Sequence, residues 1–495
     1  MDNTKNLILE AKELYSKKRY FEAKSCLLKV FENFNLDIKL KLSLYVLISD
    51  IYYKINEFEN AENYLLTYLK EDKSNSKVFS LLGNVYLKKR DFKNSEQSYL
   101  ESIKLDKNNE TAIINLAILY HNLGKQKEAI SLYKKILAKN PKKIGVLYNL
   151  ASLDKKIINE KKISFLKKLI NENELNYFDM ASCYFLIADD EKKKKNYEKE
   201  INLLSSANKL SFKYNEKKNI QLDEYWLKII SKKFNKISFE KKNVNINNNK
   251  KFYPIFIIGL PRCGSTLIES VISSGKDKIE NLGETNLVNW AFLNTNRDFL
   301  KLNDNNQSII IDQNLTAKKL TESINNLIIN KNNDIYFSEK SLENFFYIEL
   351  ILNIYPNAKF INPRRNTIDN IFAIYKQFLS NVSWSHSIEN ILLYFDNYFS
   401  TIDYFKQKYS ERILSISLEE FTNDPRKSAM EIYDFCNLNW DEKCLDFHKR
   451  DDLFTNTASI NQIRSAVQKY DFSKYEAYKG MLNNYLKKYS WLNNN

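Results

Sequence analysis

The run Phe256-Ile257-Ile258-Gly259-Leu260-Pro261-Arg262-Cys263-Gly264-Ser265-Thr266-Leu267-Ile268 carries the residue types of an anion-binding turn. An apolar segment stops at a glycine, turns through Pro-Arg-Cys-Gly-Ser-Thr and re-enters apolar periodicity, which predicts strand, tight loop and helix. Such a loop aims backbone N–H groups and a helix N-terminus at an anion. The spacing Gly259-x4-Gly264 is that of a Walker A loop, but Ser265 stands where an NTPase needs lysine. Arg262 supplies charge from inside the loop instead, which points away from NTP hydrolysis and towards another phosphate-bearing donor. Taken alone, the Gly-Ser-Thr turn would also serve as a plain helix N-cap. Cys26, Cys183, Cys263, Cys436 and Cys444 are far apart with no CxxC pair, and His121, His386 and His448 are isolated. No disulfide framework, zinc site or His-assisted nucleophile is suggested, and no metal is expected. Cys263, at the start of a helix, is either a thiol of lowered pKa or a neutral small residue.

These groups need a scaffold, and 495 residues allow two or three domains. Net charge is +15, mostly a lysine excess accompanied by abundant asparagine throughout; no recognition motif accompanies it, so nucleic acid is not expected as a partner. The first residues lack a basic-then-apolar signal pattern, and no 18-residue apolar run occurs, so the expected location is cytoplasmic and off the membrane.

The first half is periodic. Ser49, Gly83, Ala117 and Ala151 are 34 residues apart, as are Tyr52, Tyr86 and Tyr120. Small residues also recur twelve apart, from Ala11 to Ala23, Ser49 to Ala61, Gly83 to Ser95 and Ala117 to Ala129. Two small positions per 34-residue unit let antiparallel helices approach closely, and the pattern resembles the tetratricopeptide repeat. It predicts an α-helical solenoid of four to five units over 4–175, with poorly matching helices over 177–235 that are degenerate units or caps. The expected division is a helical array over 1–235, a polar Asn-rich linker over 236–250 and an α/β domain over 251–495. Lysine runs such as Lys193–Lys195 read as solvated helix faces.

Further landmarks follow the loop in order: Gly283-Glu284-Thr285, Ser338-Glu339-Lys340-Ser341, Arg364-Arg365-Asn366, Thr457-Ala458-Ser459-Ile460-Asn461-Gln462-Ile463-Arg464 and Ser473-Lys474-Tyr475. The ordered set resembles sulfotransferases that use 3′-phosphoadenosine 5′-phosphosulfate (PAPS), in particular the type preceded by tetratricopeptide repeats, and more distantly tyrosylprotein sulfotransferases. The resemblance implies a P-loop-like α/β domain with a central, mainly parallel sheet. It implies that Pro261, Arg262, Cys263, Gly264, Ser265 and Thr266 hold the phosphosulfate, that Arg365 and Lys474 serve the 3′-phosphate end, and that Arg364, Gln462 and Arg464 are further cofactor-binding residues, the last two on the segment of Ser459. Glu284 would be the general base, Lys340 a charge facing the transferring sulfuryl group, and Ser459 a contact of the phosphosulfate. The sequence departs from the pattern at Ala373, where a serine is usual, at Leu418, where the tyrosylprotein enzymes have tyrosine, and at Tyr475, where many relatives have tryptophan. The expected function is sulfuryl transfer to a hydroxyl, of a peptide tyrosine, a sugar or a metabolite, with the repeats recruiting a protein or peptide. The alternatives are a tetratricopeptide scaffold that has lost catalysis and, against the missing Walker lysine, a P-loop kinase.

Overall fold

A computed structural model describes residues 2–238, 251–300, 309–328, 334–450, 453–455, 457 and 462–494. The chain divides into two compact units, one of residues 1–121 and 125–141 and one of 122–124 and 142–495.

The first unit holds four helical hairpins, Asp2–Ser16 with Tyr20–Asn33, Ile38–Lys54 with Phe58–Glu71, Ser76–Lys88 with Phe92–Leu105, and Glu110–Asn122 with Gln126–Lys139. The small positions do what their spacing predicts. Ala11, Ala23, Ala61, Ala117 and Ala129 have no exposed surface. At Gly83 an added Cβ would lie 2.5 Å from the Tyr99 ring, and the Ser95 hydroxyl donates to the Gly83 carbonyl at 2.8 Å. Each hairpin turns at a residue of positive φ, namely Lys18, Asn56, Arg90 and Gly124. Gly124 and Asn56 are types that favour such backbone, but Lys18 and Arg90 are not, so two of the four left-handed turns are invisible to a search for turn residues.

The second unit opens with helices rather than with the sheet. Ile144–Leu153, Glu160–Glu172, Tyr177–Lys193 and Tyr197–Tyr214 lead to a π-helix, Glu224–Ile229. The boundary expected at 235 therefore differs from the compact-unit boundary at 141: helices assigned to the array pack with the α/β domain. The reason is legible in one hairpin. Lys195 has positive φ, and Ala188 and Glu200 sit seven before and five after it, as Ala117 and Ala129 sit about Gly124. Tyr177–Tyr214 is thus built like a repeat, but its second small position is a glutamate. Glu200 is 2% exposed and pairs with Lys376 at 2.6 Å, which ties the hairpin into the α/β domain. The expected linker 236–250 lies outside the described residues after Ser238.

Five parallel strands follow: β1 (Lys251–Ile257), β2 (Ile279–Asn281), β3 (Asp334–Glu339), β4 (Lys359–Arg364) and β5 (Ile413–Ser417), in the order β2-β3-β1-β4-β5. Their short apolar runs reflect a sheet covered on both faces. Phe256, Phe337 and Phe360 belong to one core, and Ile255, Ile257, Ile361 and Ile416 to another on the opposite side. The chain passes from β3, on one side of β1, to β4 on the other. That crossover opens a crevice beyond the carboxyl end of β1, where open α/β sheets bind ligands.

Candidate active site

The strands β1 to β4 each deliver candidate residues at or just beyond their carboxyl ends, and β5 delivers Leu418. The loop 258–264 leaves β1 and enters the helix Ser265–Ile272. Gly259, Arg262 and Gly264 have φ of 125°, 66° and 95°. An added Cβ would stand 2.7 Å from Asn362 Oδ1 at Gly259 and 2.8 Å from Leu418 Cδ1 at Gly264. Both glycines therefore meet a conformational and a steric demand. Arg262 pays a non-glycine residue's strain for its left-handed backbone, the kind of outlier that gathers at ligand sites. Cys263 is buried inside the loop, and burial pushes its thiol up to about 11, against the lowering effect of neighbouring N–H groups. That burial favours a small packing residue over a thiol of lowered pKa.

Glu284 follows β2, and Lys340 ends β3. Lys340 Nζ is 2.6 Å from Glu284 Oε1 and 3.8 Å from Glu269 Oε2, on the loop's own helix. Burial disfavours the Lys340 ammonium, but Glu284 and Glu269 outweigh it and hold the pKa above the ordinary lysine value. The lysine side chain is completely buried, whereas that of Glu284 is 49% exposed. Lys340 therefore sits behind Glu284 as a clamp between the base candidate and the loop helix; it does not face the cavity as the resemblance implies.

Glu339 escaped the sequence reading. Its buried carboxylate accepts from Thr285 Oγ1 at 2.7 Å, Thr285 N at 3.3 Å, Ser341 N at 3.0 Å and Asn344 Nδ2 at 2.6 Å, and from the Ser341 hydroxyl. Burial raises its pKa, and these donors oppose the rise. The network pins the Gly283-Glu284-Thr285 segment to the end of β3. The only signal in sequence was the adjacency of Glu339 to Lys340.

Three cavities meet at Arg262. The first, about 320 Å³, is lined by Pro261, Arg262, Ser265, Thr266, Glu284 and Glu343, with Trp226, Trp384 and Tyr394. The second, about 430 Å³, is lined by Arg262, Gly264, Thr266, Arg365, Leu418, Gln462 and Lys474. The third, about 200 Å³, brings Lys192, Glu200, Ala373, Lys376 and Lys474 to Arg262. Burial lowers the Arg262 pKa, and the Arg365 charge adds to the effect. For Arg365 burial acts in the same sense, but its hydrogen bond to the Tyr470 hydroxyl at 2.8 Å and the nearby Tyr470, Tyr475 and Asp369 carry the pKa upward overall. Its guanidinium also donates to the Arg262 carbonyl at 3.3 Å, tying β4 to the loop. Burial lowers the Lys474 pKa, helped by Arg365, Lys192 and Arg262. Such a crowd of cations is stable only with anions among them.

The remaining sequence candidates separate. Thr457, at the head of the late motif, lies 3.2 Å from Thr266 between hydroxyl oxygens, so that segment reaches the loop. Ser459 lies outside the described residues. Arg364 is exposed and lines none of the three cavities. Arg464 donates to the carbonyls of Arg450 at 3.2 Å and Leu453 at 2.5 Å, bracing its own segment without lining a cavity. Trp226 comes from the π-helix, a geometry that recurs at functional sites. The sequence reading placed it among capping helices.

Comparison with known proteins bears on the same regions. The model of the sulfotransferase family matches residues 254–442, and tetratricopeptide-repeat models match 42–75, 76–109 and 112–144. A protein of Aquifex aeolicus (strain VF5), described only as uncharacterized, is 23% identical over 376 residues, covering 73% of this chain and 48% of its own length. The chain thus spans about half of that relative. Among solved structures, Pseudomonas aeruginosa pilF is similar at 16% identity and a TM-score of 0.34, over 44% of this chain and 97% of that one. A tetratricopeptide repeat protein from Parabacteroides merdae gives 16% and 0.33, over 45% and 91%. YrrB, titled a TPR protein with an unusual peptide-binding site, gives 17% and 0.26, over 41% and 84%. The repeats support protein–protein interaction as a general role, and the matched domain supports sulfuryl transfer. Among the described residues no helix is long and apolar enough to cross a membrane. The chain joins tetratricopeptide repeats to a domain of the sulfotransferase family.

Proposed function

We propose that this chain transfers the sulfuryl group of PAPS to an acceptor hydroxyl. The observation that carries the reading is the Lys340 clamp, which fixes Glu284 against the helix of the phosphate-type loop, so that base candidate and loop line one cavity. Arg262 and the N–H groups of Gly264, Ser265 and Thr266, with Pro261 and Cys263 shaping the turn, hold the phosphosulfate. Arg365, Lys474 and Gln462, across the loop from Glu284, take the nucleotide's 3′-phosphate end, and their cationic cavity suits that anion. Ser459 joins the phosphosulfate contacts on the strength of the family resemblance; Arg364 and Arg464 support the β4 end and the late segment.

In the reaction the acceptor oxygen forms a bond to sulfur while the bond from sulfur to the bridging phosphate oxygen breaks. Its electron pair leaves with 3′-phosphoadenosine 5′-phosphate. Glu284 accepts the hydroxyl proton, Lys340 holds that carboxylate in place, and the loop dipole and Arg262 offset charge on the leaving oxygen. The repeats recruit a protein or peptide, either an acceptor or a partner that presents one.

The test is thermal unfolding with PAPS or with ATP and Mg²⁺, beside mass spectrometry of pooled acceptors for a gain of one sulfuryl group. PAPS should raise the Tm far more than ATP. Equal shifts would support the kinase reading, and PAPS binding without product would support a scaffold.

A further inference from the structure

The cavities on the two sides of the loop differ in charge. Arg365, Lys474, Lys192 and Lys376 line those on the nucleotide side. The cavity holding Glu284 has Arg262 as its one cation among the described lining residues, and it adds a second carboxylate, Glu343. Burial pushes the Glu343 carboxyl up to about 7, helped by the charges of Glu339 and Glu284. The Lys340 charge acts against that rise, but the Lys340 ammonium is held by Glu284 at 2.6 Å and Glu269 at 3.8 Å. Trp226, Trp384 and Tyr394, which are 8%, 4% and 3% exposed, line the same cavity. Trp384 and Tyr394 stack with centroids 3.8 Å apart and planes 10° from parallel. Aromatic faces beside a carboxylate make a cation site, because the ring quadrupoles and the anion attract the same charge. With Lys340 shared between two other carboxylates, the Glu343 carboxylate stays costly to ionise, and a bound cation reduces that cost.

We infer that the acceptor is a small hydroxyl compound bearing an ammonium group, its hydroxyl at Glu284 and its ammonium at Glu343 against the aromatic wall. This rests on reading the cavity as the acceptor side of a sulfotransferase. Its volume of about 320 Å³ suits a small molecule. The arrangement also assigns Trp226 to acceptor recognition, although it lies outside the family-matched segment.

The experiment uses the full chain and three phenols alike in their reacting hydroxyl: tyramine (cationic), 4-ethylphenol (neutral) and 4-hydroxyphenylacetate (anionic). With PAPS as donor, tyramine should show a KM at least ~10-fold below the other two, the factor that about 1.4 kcal/mol represents. Glu343→Gln should raise the tyramine KM to that of 4-ethylphenol. Equal KM values for all three, or a tyramine preference that survives Glu343→Gln, overturns the inference while leaving sulfuryl transfer standing. Calorimetry on the complex with 3′-phosphoadenosine 5′-phosphate gives a readout independent of turnover. Tyramine binding that Glu343→Gln abolishes supports the cation site even if no product forms, in which case the catalytic reading alone fails. No Glu343-dependent binding of tyramine overturns the inference.

Discussion

Glu284 has a half-exposed carboxylate on a segment held from two directions, by Lys340 and by the donors gathered on Glu339. A base so positioned is worth about 10²–10⁴-fold in rate. Glu284→Gln keeps the shape and removes the proton acceptor, so kcat should fall within that range while the PAPS-induced rise in Tm persists. Steady-state rates and thermal unfolding of the same preparation check both halves, and undiminished turnover would remove Glu284 from the mechanism. A second residue sets a pH response of the fold. His386 is 7% exposed, its Nδ1 is 3.3 Å from Asn208 Oδ1, and burial pushes its pKa down from 6.5 to about 4. In the unfolded chain the imidazole takes up a proton below pH 6.5; in the fold it stays neutral until about 4. Its contribution to stability is therefore complete above 6.5 and declines as pH falls towards 4, by at most ~1.4 kcal/mol per pH unit. Urea unfolding of wild type and His386→Gln at several pH values should show the wild type losing more over that window. Parallel curves would assign the acid response to other groups.

At the scale of the element, the loop between β1 and its helix depends on a glycine for two separable reasons. Gly264 has φ of 95°, and a Cβ there would stand 2.8 Å from Leu418 Cδ1. Gly264→Ala should cost more than about 1 kcal/mol, the scale at which a non-glycine residue resists a positive φ. In Gly264→Ala/Leu418→Ala the clash is gone and the strain remains, so the double variant should recover part of the loss beyond additivity. A double-mutant cycle on unfolding free energy measures this. Strict additivity would mean that the leucine already moves aside. The result also reads the departure at position 418: a leucine there packs on the loop beside the cavity of Arg365 and Lys474, where the tyrosylprotein enzymes carry tyrosine.

For the whole molecule, the dividing line is Lys142, not the start of the sheet. Residues 144–238 supply the Glu200 partner of Lys376, the Asn208 amide that donates to the Tyr375 carbonyl at 3.0 Å, and the Tyr225 hydroxyl that donates to Asn289 at 3.0 Å. A chain of residues 142–495 should fold and bind PAPS about as the full chain does. One beginning at 251 should aggregate or melt early, because it uncovers the core face that Phe185, Leu204, Trp226, Leu227 and Ile230 bury and removes the anion of Lys376. Circular dichroism, size-exclusion chromatography and PAPS titration compare the two. If the shorter chain matches the longer, the helices are dispensable decoration. Where a protein partner presents the acceptor, removal of 1–141 should abolish the partner's lowering of KM with little effect on kcat, the sign of lost uniform binding; a partner effect that survives the removal would leave the repeats as a spacer.

The sequence by itself determined what local rules write into a chain. The 34-residue step placed four hairpins, because two helices approach closely only where small residues face each other. The apolar run, glycines and Arg262 placed strand, loop and helix, because a strained turn admits few residue types. The order of motifs brought Glu284, Arg365, Gln462 and Lys474 to one end of the sheet. The tertiary structure decided the rest through contacts between residues far apart in sequence. Lys340 is a buried clamp because the loop helix sets Glu269 near it, and no spacing rule records that approach. Glu339 became the anchor of the Glu284 segment only when β3 ended beside Thr285. Trp226 came to line the cavity of Glu284 through the packing of the π-helix, and Glu200 left the logic of the repeat because the α/β domain offered Lys376 in place of another helix. Periodicity reports which face of an element is buried; it does not report what buries it, and the chemistry of this site depends on what does.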